Sequence, residues 1–161
     1  YEISECLVGS EMCIRDRALR ASSQGKSVII IQFLKGNERR ELDFLEELDQ
    51  LDIKIFRFEK METCYDQLNE EEQVEEERNI LNGLNFARKV IATQECDFLV
   101  LDEILGLLDK HIATVDMVVG LLKQKDESMH LILTGNRVDP GILDYVDSVT
   151  TITTLGREQN S

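Results

Sequence analysis

Basic residues are scarce in this sequence: 18 lysines and arginines face 32 aspartates and glutamates, giving a formal net charge of −14. Binding a nucleic-acid backbone needs clustered cations that displace counterions, so this balance argues against a nucleic-acid partner. Any anionic ligand has to be held by local donors. No apolar run approaches the ~20 residues needed to cross a bilayer, which excludes a membrane-spanning helix. The four cysteines, Cys6, Cys13, Cys64 and Cys96, form no CxxC pair, and His111 and His130 stand alone. Neither a zinc-ligand spacing nor a disulfide framework is present. Reduced thiols and a cytoplasmic location are therefore expected, with Cys96 a small core residue rather than a nucleophile. A basic start followed by an apolar core, the mark of a secretory signal, is missing, as are internal repeats and low-complexity linkers.

What is present suits one folded domain. The chain has 161 residues, 42% hydrophobic and 31% charged. A chain of this length buries roughly 70% of the surface that it exposes unfolded. The stretch that organises it is Phe98 to Glu103, FLVLDE, four apolar residues closed by two carboxylates. So short and uninterrupted a run suits a strand buried on both faces of a parallel sheet. Asp102 and Glu103 then stand at its carboxyl end, the edge where open α/β sheets bind ligands. Two acids there suit Mg²⁺, held directly or through water, with phosphate oxygens completing its shell.

The remaining elements fall around this strand. ALRASSQ reads as the end of a helix stopped by Gly25, and Ser27 to Leu34 as a second doubly buried strand. Residues 41–51 place Leu42, Leu45 and Leu48 on one helical face, and Ile53 to Phe58, with Lys54 and Arg57 interspersed, suits an edge strand. Asn69 with Glu72 three residues on forms a capping box at the start of a long helix. The six glutamates between Glu70 and Glu77 favour the positive end of its dipole and read as a solvated face, while Ile80, Leu84, Ala87 and Ile91 form the buried stripe. Thr114 caps a further helix, Met129 to Leu133 is the next buried strand, Asp139-Pro140 opens a short helix, and Val149 to Ile152 makes a last strand. The alternation predicts an α/β three-layer sandwich with a mainly parallel sheet in which the strands at Val28–Phe33, Phe98–Asp102 and Met129–Leu133 are central.

Three strand ends carry polar groups to one edge: Lys35-Gly36, Asp102-Glu103 and Thr134-Gly135. A phosphate-bearing ligand is the natural occupant. Yet no G-x-x-x-x-G-K-[ST] loop, which would cradle the phosphates, occurs anywhere in the sequence.

ALRASSQGKSVIIIQFLKG, CDFLVLDEILGLLD and LILTG resemble, in order and spacing, the P-loop corrinoid adenosyltransferases of the cob(I)alamin or cob(I)yrinic acid a,c-diamide type, over about Ala18 to Ile152. The resemblance implies a P-loop NTPase fold of the RecA-like type. It implies transfer of the 5′-deoxyadenosyl group of ATP to the cobalt of a reduced corrinoid, with Mg²⁺ or Mn²⁺ on the triphosphate. It assigns Glu103 to catalysis, Asp102 and Glu103 to the metal, and Arg20, Lys35, Gly36, Thr134 and Gly135 to the nucleotide. Tyr65, in the loop EKMETCYDQL, is the candidate for the corrinoid face. A flavodoxin-like reductant and a homodimer belong to the same picture. In this family a strand and a Walker A loop precede ALRAS, whereas here that place is taken by residues 1–17. Their piece LVGSEMCIRDR resembles a peptide translated from sequencing-adapter DNA. Residues 1–17, which carry no clear helical or strand period, are accordingly expected to be a non-native segment, 18–155 the nucleotide-binding domain and 156–161 a polar tail, and the chain as it stands to be almost inactive. The alternatives are another P-loop nucleotide-binding protein or kinase, although a thymidine-kinase-like enzyme would bring a zinc-binding cysteine lasso, and a degenerate nucleotide-binding domain.

Overall fold

Among the described residues of the computed structural model, six parallel strands form one sheet, in the spatial order β3-β2-β4-β5-β1-β6. The structure describes residues 3–8, 12–33, 52–58 and 65–151. The strands are β1 (Ile3–Val8), β2 (Val28–Gln32), β3 (Ile53–Arg57), β4 (Phe98–Asp102), β5 (His130–Gly135) and β6 (Ser148–Thr151). The helices are α1 (Met12–Ser23), α2 (Glu70–Thr93), α3 (Ile104–Asp109), α4 (Val115–Gln124) and α5 (Pro140–Leu143). β2, β4 and β5 are interior and β3 lies at an edge, as their hydrophobic patterns require. Every residue of β2 and β4 is buried.

Strand alternation sends successive side chains to opposite faces and so divides the core in two. On one face Val28, Ile30, Phe98, Val100 and Ile132 pack with Ile14, Ala18 and Ala21 of α1. On the other, Ile29, Ile31, Leu99, Leu101, Leu131 and Leu133 pack with the apolar stripes of α2, α3 and α4 and with Ile142 of α5. Three layers result, with α1 alone on its side among the described helices.

Local chemistry sets the helix ends. Asn69 Oδ1 accepts from the Glu72 backbone N–H at 2.9 Å, and the Glu72 carboxylate accepts in return from that of Asn69, completing the capping box. Thr114 and Asp139 cap α4 and α5 in the same manner, accepting from Met117 and Gly141. Gly25, with φ +82°, turns the chain out of α1 into β2. Gly83 lets α2 approach the ends of two strands, because a Cβ there would lie 2.6 Å from the Phe58 ring and 2.8 Å from that of Phe33.

Within the first 17 residues, 3–8 form β1, hydrogen-bonded between β5 and β6, and 12–17 begin α1. Ile14 lies four residues before Ala18 and seven before Ala21, one continuous helical stripe. Two expectations need correction. The glutamate run is not wholly solvated, for Glu76 is only 2% exposed. It sits four residues before Ile80 and so extends the buried stripe of α2. The last strand begins at Ser148 rather than Val149. The helix expected at 41–51 lies outside the described residues.

Candidate functional site at the carboxyl edge of the sheet

On the face that receives α1, the strands are in register as Val28, Phe98 and His130, then Ile30, Val100 and Ile132. The next step of the alternation places Gln32 opposite Asp102 and brings Thr134 beside them. A core of two largely apolar rows thus ends, at the carboxyl edge, in a polar row. All three side chains are buried, Gln32 completely and Asp102 to within 1%.

Their hydrogen bonds converge on the carboxylate. Thr134 Oγ1 donates to Asp102 Oδ1 at 2.8 Å, and Gln32 Nε2 donates to Asp102 Oδ2 at 3.3 Å. The Thr134 hydroxyl also accepts from the backbone N–H of Glu103 at 2.8 Å. That last bond holds Glu103 in the left-handed region, φ 67° and ψ 17°, where it ends β4 and caps α3 without a side-chain capping bond. A non-glycine residue in this region is strained, and such strain collects where a side chain has to be aimed. Gly135 follows Thr134 and is buried against α3, where a Cβ would overlap the Leu105 side chain.

The donor set suits a hard divalent cation, since Asp102, Glu103, Thr134 and the Gln32 carbonyl offer only oxygen. One buried oxygen, Gln32 Oε1, has no hydrogen-bond partner. Among the described residues no group of three or more His, Cys, Asp or Glu could hold a metal unaided. A cation here would therefore draw on hydroxyl, amide, phosphate or water oxygens as well.

The other residues anticipated for the site are dispersed. Lys35 and Gly36 lie outside the described residues. Tyr65 opens a single 3-10 turn, Tyr65–Gln67, and its side chain is outside the description. Two bonds of 2.8 and 2.7 Å from Lys110 Nζ to the Asp66 carboxylate tie that turn to the end of α3. Arg20 is not brought to the edge. It lies exposed in the last turn of α1, eight residues beyond Met12, a travel of about 12 Å at 1.5 Å per residue toward the amino edge of the sheet. Arg137, in the loop after β5, pairs with Asp109 at 2.6 Å, and that carboxylate holds its guanidinium above the ordinary arginine range. Cys96 is buried before β4, and desolvation pushes its thiol up to about 12, with no nucleophilic role.

Gln32 was the residue that sequence reasoning passed over. Its signal was the register, for two apolar residues on one face of a buried strand, followed two positions on by an amide, announce a polar layer at the strand end.

β1 pairs with β5 and is followed in the chain by α1, the strand-to-helix order from which P-loop proteins bind phosphate. Here only Gly9, Ser10 and Glu11 separate Val8 from Met12, too few for an eight-residue phosphate loop and without its lysine.

The chain is similar to an uncharacterized protein, all2391, of Nostoc sp. (strain PCC 7120), 29% identical over 141 residues. The alignment covers 80% of this chain and 35% of that protein, so the chain spans about a third of its relative's length. The family model for ATP:corrinoid adenosyltransferase BtuR/CobO/CobP matches residues 16–159. That match takes in α1 from Asp16 onward, the acid-tipped β4 and the Thr134-Gly135 strand end, and every described element but β1 and the first residues of α1. The chain belongs to the ATP:corrinoid adenosyltransferase family.

Proposed function

We propose that the carboxyl edge formed by Gln32, Asp102, Glu103 and Thr134 is the ATP site of a corrinoid adenosyltransferase domain. The reaction is attack by reduced Co(I) on the ribose 5′ carbon. A cobalt–carbon bond forms, the bond from that carbon to the triphosphate oxygen breaks, and inorganic triphosphate leaves with the electron pair. Such a displacement asks the protein for positioning and electrostatics rather than acid-base chemistry. A bound Mg²⁺ or Mn²⁺ would neutralise charge on the leaving triphosphate.

In this reading Glu103 holds the cation, and Asp102, fixed by Thr134 and Gln32, contributes directly or through water. The backbone near Thr134-Gly135 faces phosphate oxygen. Lys35 and Gly36 extend the nucleotide site, and Tyr65 covers the corrinoid. An external donor of flavodoxin type keeps the cobalt reduced, the protein works in the cytoplasm, and a homodimer is its assembly. The observation that carries the reading is the buried polar row ending the two apolar rows, in a chain matched by the family model over residues 16–159.

The short connection Gly9–Glu11 favours a second reading, a nucleotide-binding domain that has lost its activity. One experiment separates the two. The chain and a variant with a glycine- and lysine-bearing phosphate loop in place of residues 9–11 are mixed with ATP, Mg²⁺ and chemically reduced corrinoid, and cobalt–carbon bond formation is followed by absorbance. The adenosyltransferase reading expects product from the loop-bearing variant and almost none from the chain itself. No product from a folded, ATP-binding variant would favour the degenerate domain.

A further inference from the structure

Gln32 holds a position that neither stability nor packing explains. It is fully buried at the end of an otherwise apolar strand, and half of its amide is used: Nε2 donates to Asp102 Oδ2 at 3.3 Å while Oε1 has no partner. In this orientation the amide sets its donor, Nε2, against a carboxylate oxygen that accepts. A buried acceptor without a donor carries an uncompensated desolvation cost, and such groups call for an explanation. By amide bond lengths, Oε1 lies within about 6 Å of the Asp102 carboxylate. It therefore belongs to the same polar row.

We propose that Gln32 is a positioning residue for a divalent cation at this edge. Nε2 fixes Asp102 from the side opposite Thr134, and Oε1 accepts a hydrogen bond from a water of the cation's hydration shell. The proposal rests on the metal reading of Asp102 and Glu103 and adds to it a ligand-orienting amide from β2. One strand thereby senses the occupancy of its neighbour, since the ion completes a hydrogen bond that the protein alone leaves unmade. A polar group that serves only packing would have both its ends satisfied within the protein.

The test uses Mn²⁺ alone as probe, titrated into the 161-residue protein and followed by water-proton relaxation. The ion counted is the one lost in Glu103→Gln, which separates it from ions gathered by the acidic surface. Gln32→Met, of similar size but with no amide, is expected to weaken that ion about tenfold, the lower end of what loss of a ligand-orienting partner costs. Gln32→Glu, which keeps an acceptor there but replaces the Nε2 donor with an oxygen facing Asp102, is expected to weaken it as well. Circular dichroism checks that each variant folds. Wild-type affinity in either folded variant overturns the role of Gln32 while leaving the metal reading intact. Absence in the wild-type protein of any Mn²⁺ that depends on Glu103 overturns both. If Gln32→Met fails to fold, Gln32→Glu decides alone.

Discussion

The Thr134 hydroxyl and the Asp102 carboxylate lock the ends of two neighbouring strands together, Oγ1 donating to Oδ1 at 2.8 Å in a site where both residues are buried. The same oxygen accepts from the Glu103 N–H. One hydroxyl thus sets both acids, holding the first by its side chain and the second by its backbone.

Thr134→Val keeps the shape and removes the hydroxyl. The Glu103 N–H loses the bond it makes to Thr134 Oγ1, and Asp102 loses its donor on Oδ1. The expected loss of stability is about 3 kcal/mol, from two buried groups deprived of a partner. Thr134→Ser should recover most of it. Urea unfolding followed by circular dichroism reads the difference, and equal midpoints for Val and wild type would show that the hydroxyl is not needed.

Gly135→Ala tests the packing that aims the site. The added methyl would overlap Leu105 and stand 3.3 Å from its Cα, so α3 has to move. An overpacked core costs about 1 to 3 kcal/mol. Because α3 starts directly after Glu103, the same substitution should also weaken Mn²⁺ binding, whereas Gly120→Ala, which meets nothing within 4 Å, should leave it unchanged. Equal effects of the two substitutions on thermal unfolding and on Mn²⁺ affinity would contradict this packing.

Cys96 gives a pH dependence with a defined sign. Burial raises its thiol from 9.0 to about 12 in the folded protein. Below pH 9 the thiol is neutral in both states and contributes no slope. Above pH 9 the unfolded chain releases this proton while the folded one keeps it, so stability falls as pH rises toward 12. The unfolding free energy of wild type minus that of Cys96→Ala should be flat from pH 7 to 9 and decline above it. A difference that rises there would reverse the assignment of burial as the cause.

The fold was largely legible because its signals are local. Doubly buried runs such as VIII and FLVL mark interior strands, and Asn69 with Glu72, Thr114, and Asp139 with Pro140 announce helix starts through backbone donors that their side chains satisfy. The acid pair was legible for the same reason, standing at the end of one such run. What escaped was set by register between strands distant in sequence. Gln32 meets Asp102 across 70 residues and Thr134 meets it across 32, and no local pattern carries that pairing. Arg20 shows the converse, a residue matched by motif that the topology carries to the other end of its helix. Glu76 was hidden by its neighbours, because a run of glutamates reads as surface until the helical period is continued back from Ile80.

The most direct measurement is the rate of cobalt–carbon bond formation by Glu103→Gln in a chain carrying a phosphate loop before α1, with ATP, Mg²⁺ and chemically reduced corrinoid. If Glu103 holds the cation against the triphosphate, the rate should fall on the order of 100-fold, the scale of removing one preorganised electrostatic group. Corrinoid affinity and the circular dichroism spectrum should not change. A folded Glu103→Gln protein working at the rate of its parent would contradict the account.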